Sequence, residues 1–473
     1  MRRKWRYMTL LAIAGAMLSG CFGEKPVLEE LGEDGSGALK VVYADEESFY
    51  SRYGNAFQVK YPGIDIEVVS WGEMYRELRD KDDADMKAER LKFLDQQKPD
   101  VVILNLDEME EMVQEGKLYN LDAVIAQEKF DLEGYMPGLI DMIRGKGSGS
   151  LYGLAPEFST SAIYYNADLF REHHIDPPRH QMTWEELLEL SSRFKGLGSG
   201  ENQIAGYYER HGKPDQLLLK MADAYALRLF DAKGEKLMFE TDGWKRAMKL
   251  AADSIRNQSA YMQPPIEDEQ GNLLWGSDSL FFQGKAAMIM EETWFMSDLK
   301  HRPAWDKEAK SFDWGIVTAP VDPASPDSSP YVRLHEVFAI AADSPNKRAA
   351  WEFVKFVNGP DTAKANSRKT RETLPTRIHL VEEIEGKSLE AFYLLRPRAQ
   401  SKSIWDDFFN IGIPHEFFWE FRTILSREME AVIGKMKTVE EAAAAVQAEG
   451  DAVLRKIREE EKARRLTTED SSQ

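Results

Sequence analysis

The stretch Leu39-Lys-Val-Val-Tyr-Ala44 is a short apolar run rich in β-branched side chains, and two similar runs follow it. They are Ile64–Ser70 and residues 100–104, and longer amphipathic stretches separate the three. Such runs are typical of buried parallel strands, and the intervening segments are long enough for crossover helices. The sequence therefore predicts an α/β architecture.

Helix boundaries are marked further along the chain. The capping-box pattern occurs at Thr183-Trp-Glu-Glu186 and Thr438-Val-Glu-Glu441. There the threonine hydroxyl and the glutamate satisfy free amides of the first turn. Ser344-Pro345 is predicted to open another helix, which Asn358-Gly359-Pro360 closes.

The segment after Pro414 is predicted to be a helix with one buried stripe. The stripe consists of Phe417, Phe421, Leu425 and Val432. Trp419 lies outside it, on the side shared with Arg422. Either a position in a ligand cleft or a second packing surface would explain this tryptophan, and Trp405 raises the same question.

Composition limits the class of protein. The chain has 473 residues, 43% of them hydrophobic, which is enough for two or three domains with full cores. Its formal charge of -20 at pH 7 argues against nucleic acid as a partner, because such a surface repels phosphate backbones. The single cysteine allows neither a disulfide within the chain nor a thiolate metal site.

The N-terminus has the form of an export signal. The basic residues Arg2, Arg3, Lys4 and Arg6 precede an uncharged run over residues 7–20, too short to span a membrane. The run ends at Leu18-Ser-Gly-Cys21, which resembles the lipobox of bacterial lipoproteins. The resemblance implies a signal peptide over 1–20 and a diacylglycerol thioether on Cys21, anchoring the protein at the extracytoplasmic face of the cell membrane. The alternative is a plain secretory signal with an incidental cysteine.

Both ends of the mature chain are expected to lie outside the folded body. Residues 21–38 are predicted to be the lipidated cysteine and a flexible tether, because 22–38 is short, acidic and glycine-containing. The charged residues 461–473 are predicted to be a disordered tail.

Signatures of catalysis are missing from the sequence. It contains no Gly-x-Ser-x-Gly elbow, phosphate-binding loop, dinucleotide fingerprint or His-Glu-x-x-His motif. The group His173, His174 and His180 falls in a polar, proline-containing turn and is interpreted as exposed loop histidines. No catalytic residue, metal site or cofactor is therefore predicted. Carboxylate pairs such as Glu291-Glu292 leave a glycan-cleaving enzyme as an alternative.

Several separated segments follow one another in a recognisable order. The first are Leu39-Lys-Val-Val-Tyr43, Tyr61-Pro-Gly-Ile-Asp-Ile66, Lys98-Pro-Asp-Val-Val102, Leu151-Tyr-Gly-Leu-Ala-Pro156 and Ala162-Ile-Tyr-Tyr-Asn-Ala-Asp-Leu-Phe170. The later ones are Phe282-Gln-Gly-Lys-Ala-Ala-Met288, Trp294, Trp314-Gly-Ile-Val317, Ala350-Trp-Glu-Phe-Val-Lys-Phe356 and Leu374-Pro375. Together they resemble the family 1 extracellular solute-binding proteins of bacterial ABC importers.

This resemblance implies a two-lobe, type II periplasmic-binding-protein fold with a ligand cleft between the lobes. The N-terminal lobe is expected to comprise 39–157 and 318–377, and the C-terminal lobe 160–314 and 378–460. It also implies a monomer that closes on its ligand by hinge motion and then docks on the transmembrane subunits of an ABC permease.

Candidate ligand-binding residues come from two sources. Ligands of open α/β sheets lie beyond the carboxyl ends of strands, which points to Asp45, Glu46, Glu47, Trp71 and Asp107. Solvated loop acids and a packed tryptophan are the alternatives. Matching to the family pattern adds Ser159, Asp215 and Trp294, with Trp419 as a further candidate. For Trp294 the alternative is ordinary core packing.

Tryptophans among carboxylates suggest an oligosaccharide as the ligand. The apolar face of a pyranose stacks on flat aromatic rings, and its hydroxyls donate to ionised carboxylates. The sequence thus predicts a carbohydrate-binding lipoprotein of an ABC importer. Two alternatives stay open: a surface-anchored polysaccharide-degrading enzyme, and a sensor or adhesion module that serves no permease.

Overall fold

A computed structural model describes residues 27–78, 86–210, 212–262, 279–367, 372–380, 382–384, 386–398, 413 and 415–471. Cys21 and Trp405 lie outside the described residues. Strands are named β1 to β16 in chain order. They are Gly37–Tyr43, Ile64–Ser70, Val101–Leu104, Gly153–Leu154, Glu157–Phe158, Ser161–Asn166, Ala205–Glu209, Ala260–Met262, Ala286–Glu292, Trp314–Thr318, Ser328–Ser329, Val337–Ile340, Leu374–Pro375, Glu383–Ile384, Lys387–Ser388 and Arg396–Pro397.

Two five-stranded sheets organise the chain. The first has the order β2-β1-β3-β12-β4, and the second has the order β10-β6-β9-β7-β8. Strand β1 runs parallel to β2 and β3, as predicted from the three apolar runs. The predicted α/β class is confirmed.

The register of the first sheet brings sequence-distant residues to one edge. Strand β12 is antiparallel to β3, and Val337 pairs with Leu104. The start of β12 therefore lies beside the carboxyl ends of β1 and β3. All four residues of β12 are buried, because both faces of the strand are covered.

The second sheet presents a corresponding edge. Strands β7 and β9 are parallel, whereas β6 is antiparallel to β9, with Ser161 opposite Glu292. The start of β6 thus meets the carboxyl ends of β7 and β9.

The chain crosses between the sheets more than once. It leaves the first sheet after β4 and enters the second at β6, passing through β5. It returns between β10 and β12. The two crossings touch where Ser159 and Arg333 exchange backbone hydrogen bonds of 3.0 and 2.8 Å. Strand β13 also pairs with β5, so crossing segments hold the two lobes together.

Helices cover the sheet faces. They are Glu46–Phe49, Asn55–Lys60, Trp71–Leu78, Met86–Gln97, Leu106–Gln114, Asp122–Glu128, Leu139–Lys146, Ala167–Glu172, Trp184–Ser192, Pro214–Ala224, Asp242–Arg256, Phe295–His301, Lys347–Val357, Pro360–Asn366, Glu390–Tyr393, His415–Ile433 and Val439–Ser471. Short 3₁₀ turns span Gly200–Asn202, Arg302–Ala304 and Ile378–Leu380, and a π-helical turn spans Tyr50–Gly54.

The predicted helix boundaries are largely confirmed. Thr183 and Glu186 form a reciprocal capping box, and Thr438 and Glu441 exchange the equivalent hydrogen bonds. The helix expected after Ser344-Pro345 begins slightly later, at Lys347.

The helix His415–Ile433 has the predicted buried stripe. Its members Phe417, Phe421, Leu425 and Val432 are all buried against the second lobe.

Both ends of the folded body differ from the prediction. The tether was expected to extend to residue 38, but β1 already begins at Gly37. Leu28 is only 5% exposed, and the Val27 amide donates to Gln127 Oε1 at 2.8 Å. The final helix continues to Ser471 in place of the disordered tail expected over 461–473, because Glu, Lys, Arg and Ala in this region favour helix.

Candidate functional site

A cavity of ≈ 860 Å³ lies between the two lobes. Its walls come from both lobes and from the crossing segments. The lining residues are Ser51, Arg52, Glu157, Ser159, Glu292, Trp294, Ser297, Asp298, His335, Glu336, Asn366, Glu372 and Thr373. We call this cavity the cleft. It falls within the size range usual for small-molecule sites.

The first-lobe wall is organised around Glu336, which directly precedes β12. Its carboxylate accepts hydrogen bonds from the hydroxyls of Tyr43 and Tyr53, both at 2.6 Å, and from Arg52 Nη1 at 2.9 Å. Burial, followed by the negative charge of Glu336, raises the pKa of both tyrosines. Their hydroxyls therefore remain protonated and hold Glu336 in one position.

Arg52 links this group to the crossing segment. It lies on the π-helical turn Tyr50–Gly54, a type of irregularity frequent at functional sites. Its Nη2 donates to Glu157 Oε2 at 3.2 Å. The carboxylate of Glu157 also accepts from Asn366 at 2.9 Å and from Thr373 at 2.6 Å. These contacts fix the first-lobe wall without a ligand.

The crossing segments contribute Ser159 and His335. Ser159 Oγ lies 2.7 Å from His335 Nε2, close to the backbone pairing of the two crossings. Both side chains line the cleft, so a ligand there would contact the segments that connect the lobes.

The second-lobe wall centres on Trp294, which follows β9. The ring of Phe295 packs edge-on against it at a centroid separation of 5.6 Å. The guanidinium carbon of Arg210 lies 5.6 Å from the Trp294 ring centroid. Glu292, Ser297 and Asp298 surround the tryptophan at the cleft.

Charged residues lie directly behind this wall. Arg210 is 3.8 Å from the carboxylate of Glu291, whose side chain is 13% exposed. Burial raises the pKa of Glu291 to about 7, although Lys220 and Arg210 act in the opposite direction. Lys220 itself pairs with Glu209 at 2.8 Å.

The described lining residues of the cleft have a negative charge balance. They include five carboxylates, and Arg52 is their one arginine or lysine. Arg52 is already paired with Glu157 and Glu336. Three of the carboxylates form no hydrogen bond or ion pair within the described part of the chain; they are Glu292, Asp298 and Glu372. These oxygens are available to accept hydrogen bonds from a ligand.

Two of the predicted site residues, Ser159 and Trp294, line the cleft together. The other candidates from the first lobe do not. Asp45 caps the helix Glu46–Phe49 by accepting from the Ser48 amide at 2.8 Å, and Glu47 is exposed on that helix. Trp71 packs against Phe93 at 5.3 Å.

The remaining candidates also lie outside the cleft lining. Asp107 is paired with Lys146 at 2.7 Å. Asp215 is 1% exposed and bonded to Arg422. Trp419 is 59% exposed on its helix. Their roles in ligand binding stay predictions.

Several cleft residues were missed at the level of sequence. Arg52, Glu157 and Glu336 are far apart along the chain, and no local pattern connects them. Glu372 and Thr373 could have been found, since they directly precede the recognised segment Leu374-Pro375.

Other site types are absent from the described residues. They contain no cluster of three or more His, Cys, Asp or Glu side chains able to hold a metal ion. None of their helices combines the length and apolar character needed to cross a membrane.

Known proteins share this architecture. A model of the family described as bacterial extracellular solute-binding protein matches residues 41–364. A "binding protein" of Brucella abortus (strain 2308) is 25% identical over 380 residues, 77% of this chain and 82% of that protein. The sn-glycerol-3-phosphate-binding periplasmic protein of Yersinia enterocolitica is 22% identical, over 71% of this chain and 74% of that protein.

A solved structure agrees with the fold. The crystal structure of a sugar transporter from Rhizobium etli, in an open conformation, superposes with a TM-score of 0.64 and 20% identity. The superposition covers 88% of this chain and 99% of the sugar transporter chain. The fold is that of a two-lobe solute-binding protein. The chain belongs to the bacterial extracellular solute-binding proteins.

Proposed function

We propose that this protein is the lipid-anchored receptor of an ABC importer and captures an oligosaccharide in the cleft. The observation that carries the proposal is Trp294 beside the unpaired carboxylates Glu292 and Asp298 in one cavity. The ring offers a stacking face for a pyranose, and the carboxylates accept from its hydroxyls. No chemical step or cofactor is needed.

The charge of the cleft favours a saccharide over a phosphate ester. The strongest hydrogen bonds to a phosphate group come from unpaired cationic donors. The single arginine among the described lining residues, Arg52, is already bonded to two carboxylates. The ligand named for the Yersinia relative is therefore the less suitable of the two.

Ligand contacts with both lobes would favour the closed conformation over the open one. Arg52 and Glu336 belong to the first lobe, and Trp294 and Asp298 to the second. A ligand that touches both walls binds the closed state better than the open one, and this difference shifts the equilibrium. The closed monomer would then dock on the permease at the extracytoplasmic face of the membrane.

Isothermal titration calorimetry against maltooligosaccharides, sn-glycerol-3-phosphate and small peptides tests the ligand class. We expect a glycan to release heat on binding. Trp294→Ala should weaken glycan binding about tenfold, which corresponds to a loss of ~1.4 kcal/mol of binding free energy. Trp305→Ala is the matched control, because Trp305 is 66% exposed and does not line the cleft. Heat with peptides and none with any glycan would contradict the proposal.

The enzyme alternative needs its own assay. Carboxylate pairs could in principle cleave glycans as acid and base. The assay measures the release of reducing ends from a polysaccharide. Release that one Glu or Asp substitution in the cleft abolishes would show that the protein is an enzyme and not a receptor. We expect no reducing ends to be released.

A further inference from the structure

We propose that Arg210 and Glu291 are positioning residues for Trp294 and make ligand affinity depend on pH. The buried carboxylate attracts the guanidinium, and the guanidinium in turn holds the indole ring. The inference rests on the proposed function in taking Trp294 as a ligand-stacking residue.

The contacts of Arg210 support this role. Its guanidinium lies within cation–π range of Trp294, and its nearest carboxylate oxygen is Glu291 Oε1 at 3.8 Å. That separation is longer than a hydrogen bond, so the attraction is Coulombic and depends on the charge of Glu291. The buried Nε of Arg210 has no hydrogen-bond partner among the described residues. The carboxylate of Glu291 and the ring of Trp294 are thus two of the contacts that orient Arg210.

Chain geometry places these residues behind the cleft. Arg210 follows β7, whereas Glu291 and Trp294 belong to the end of β9 and the turn after it. The two strands are parallel, so their carboxyl ends lie side by side. Neither Arg210 nor Glu291 lines the cleft, whereas Trp294 does. Their influence on a ligand would therefore pass through the indole.

The surroundings of Glu291 set the pH range. It faces charged and titratable side chains from three strands and a helix; they are Lys220, Arg210, Glu209, Glu292, Tyr207 and Tyr164. Lys220 forms an ion pair with Glu209. Both tyrosines are buried and keep their protons, because burial raises their pKa. Burial raises the pKa of Glu291 to about 7. Above this pH Glu291 attracts Arg210, and below it the attraction is lost.

A double-mutant cycle tests the positioning role in the purified protein. At pH 8 we expect Arg210→Met to weaken binding of the best maltooligosaccharide about fivefold, corresponding to ~1 kcal/mol of cation–π attraction. In a Trp294→Ala background the same change should have no further effect. Arg210→Lys keeps the charge without the planar stack and should give a partial loss. An equal loss in both backgrounds would overturn the proposal.

A spectroscopic measurement needs no ligand. In protein labelled with 5-fluorotryptophan, the Trp294 fluorine resonance is assigned by its absence from Trp294→Phe. We expect this resonance to shift as pH passes through about 7, and to stay constant in Glu291→Gln. Glycan affinity should rise over the same pH range in the wild type. It should be independent of pH there in Glu291→Gln.

The outcomes separate the two claims. If no glycan binds, the proposed function fails, while the fluorine titration still decides the positioning role. A Trp294 resonance that does not titrate, or one that titrates unchanged in Glu291→Gln, overturns the inference even if glycans bind. Thermal unfolding of each variant shows whether the fold is intact.

Discussion

A carboxyl group whose pKa rises on folding makes the folded state less stable as pH increases. Burial raises the pKa of Glu291 from 4.5 to about 7, so the unfolded chain releases this proton at lower pH than the folded one. The stability associated with the protonated form is complete below pH 4.5 and is lost as pH rises to about 7. The loss is at most ~3.4 kcal/mol, taking 1.36 kcal/mol for each of the 2.5 pKa units between 4.5 and 7.

Glu291→Gln should remove this share of the pH dependence. Urea unfolding at pH 5 and pH 8 measures the free energy of unfolding in both proteins. We expect the wild type to lose ~2–3 kcal/mol more than the variant between the two values. Glu292→Gln is the matched control and should keep most of the wild-type pH dependence, because Glu292 is exposed and its charge raises the pKa of Glu291 less than burial does. An equal loss in wild type and Glu291→Gln would show that Glu291 titrates normally.

The ion pair of Asp215 and Arg422 contributes to the stability of the second lobe. Asp215 is 1% exposed and accepts from Arg422 Nε at 2.6 Å. Asp215→Ala leaves the guanidinium of Arg422, whose side chain is 18% exposed, without its carboxylate and should cost about 3 kcal/mol of unfolding free energy. Asp298→Ala is the control and should stay within about 0.5 kcal/mol, since the Asp298 carboxylate forms no hydrogen bond or ion pair within the described part of the chain.

The double variant Asp215→Leu with Arg422→Met should lose less unfolding free energy than Asp215→Ala, because neither charge of the pair then remains. A cost for Asp215→Ala no larger than that for Asp298→Ala would contradict it.

Residue type alone could not separate cleft carboxylates from structural ones. Asp45 and Asp107 do follow strands, as predicted, but one caps a helix and the other pairs with Lys146. Glu336 lines the cleft because Tyr43 and Tyr53, nearly 300 residues earlier, hold it there. Such pairings depend on sheet register, which the local sequence does not contain. Trp294 was found through the family pattern.

At the scale of elements, the helix His415–Ile433 offers a direct comparison of its two sides. Phe421 is buried against the second-lobe core, whereas Trp419 is 59% exposed two residues earlier. Phe421→Ala should cost ~3–5 kcal/mol in urea unfolding, because it leaves a cavity. Trp419→Ala should cost roughly 1 kcal/mol or less, because its side chain is largely exposed although its ring contacts Phe418. A large cost for Trp419→Ala would show that it packs on a second surface.

Elements with a clear local cause were predictable. The strands β1 to β3 follow from β-branched runs, and both capping boxes mark helix starts. The strands β5 and β13 were not predictable, because two residues show no periodicity. They nevertheless hold Glu157 and Thr373 at the cleft. The elements that shape the site are thus the ones with the weakest local signal.

At the scale of the whole molecule, the order of strands could not be read from periodicity. Strand β12 is inserted between β3 and β4 although more than 180 residues separate it from both. This insertion creates the crossing at His335 and Glu336 and brings the first-lobe wall opposite Trp294. The resemblance to a family supplied the two-lobe arrangement, because it carries information about topology that composition lacks.

Anchoring and binding are expected to be separable properties of the whole molecule. The chain packs on the first lobe from Val27 onward, where the Val27 amide bonds Gln127 and Leu28 is buried. The cleft lies at the carboxyl ends of the strands, whereas β1 starts at the opposite edge of the sheet. Replacing Cys21 should therefore change where the protein is found without changing the cleft.

Cys21→Ser should release the protein into the medium, or into the soluble periplasmic fraction of a cell with two membranes, because no thioether to lipid can form. Fractionation with immunoblotting measures the release, and calorimetry on the released protein should give the wild-type dissociation constant. Trp294→Ala is the reciprocal control, which should stay with the membrane but bind glycan weakly. Reduced glycan affinity in Cys21→Ser would show that the N-terminal end and the cleft are coupled. Retention of Cys21→Ser at the membrane would show that another part of the chain provides the anchor.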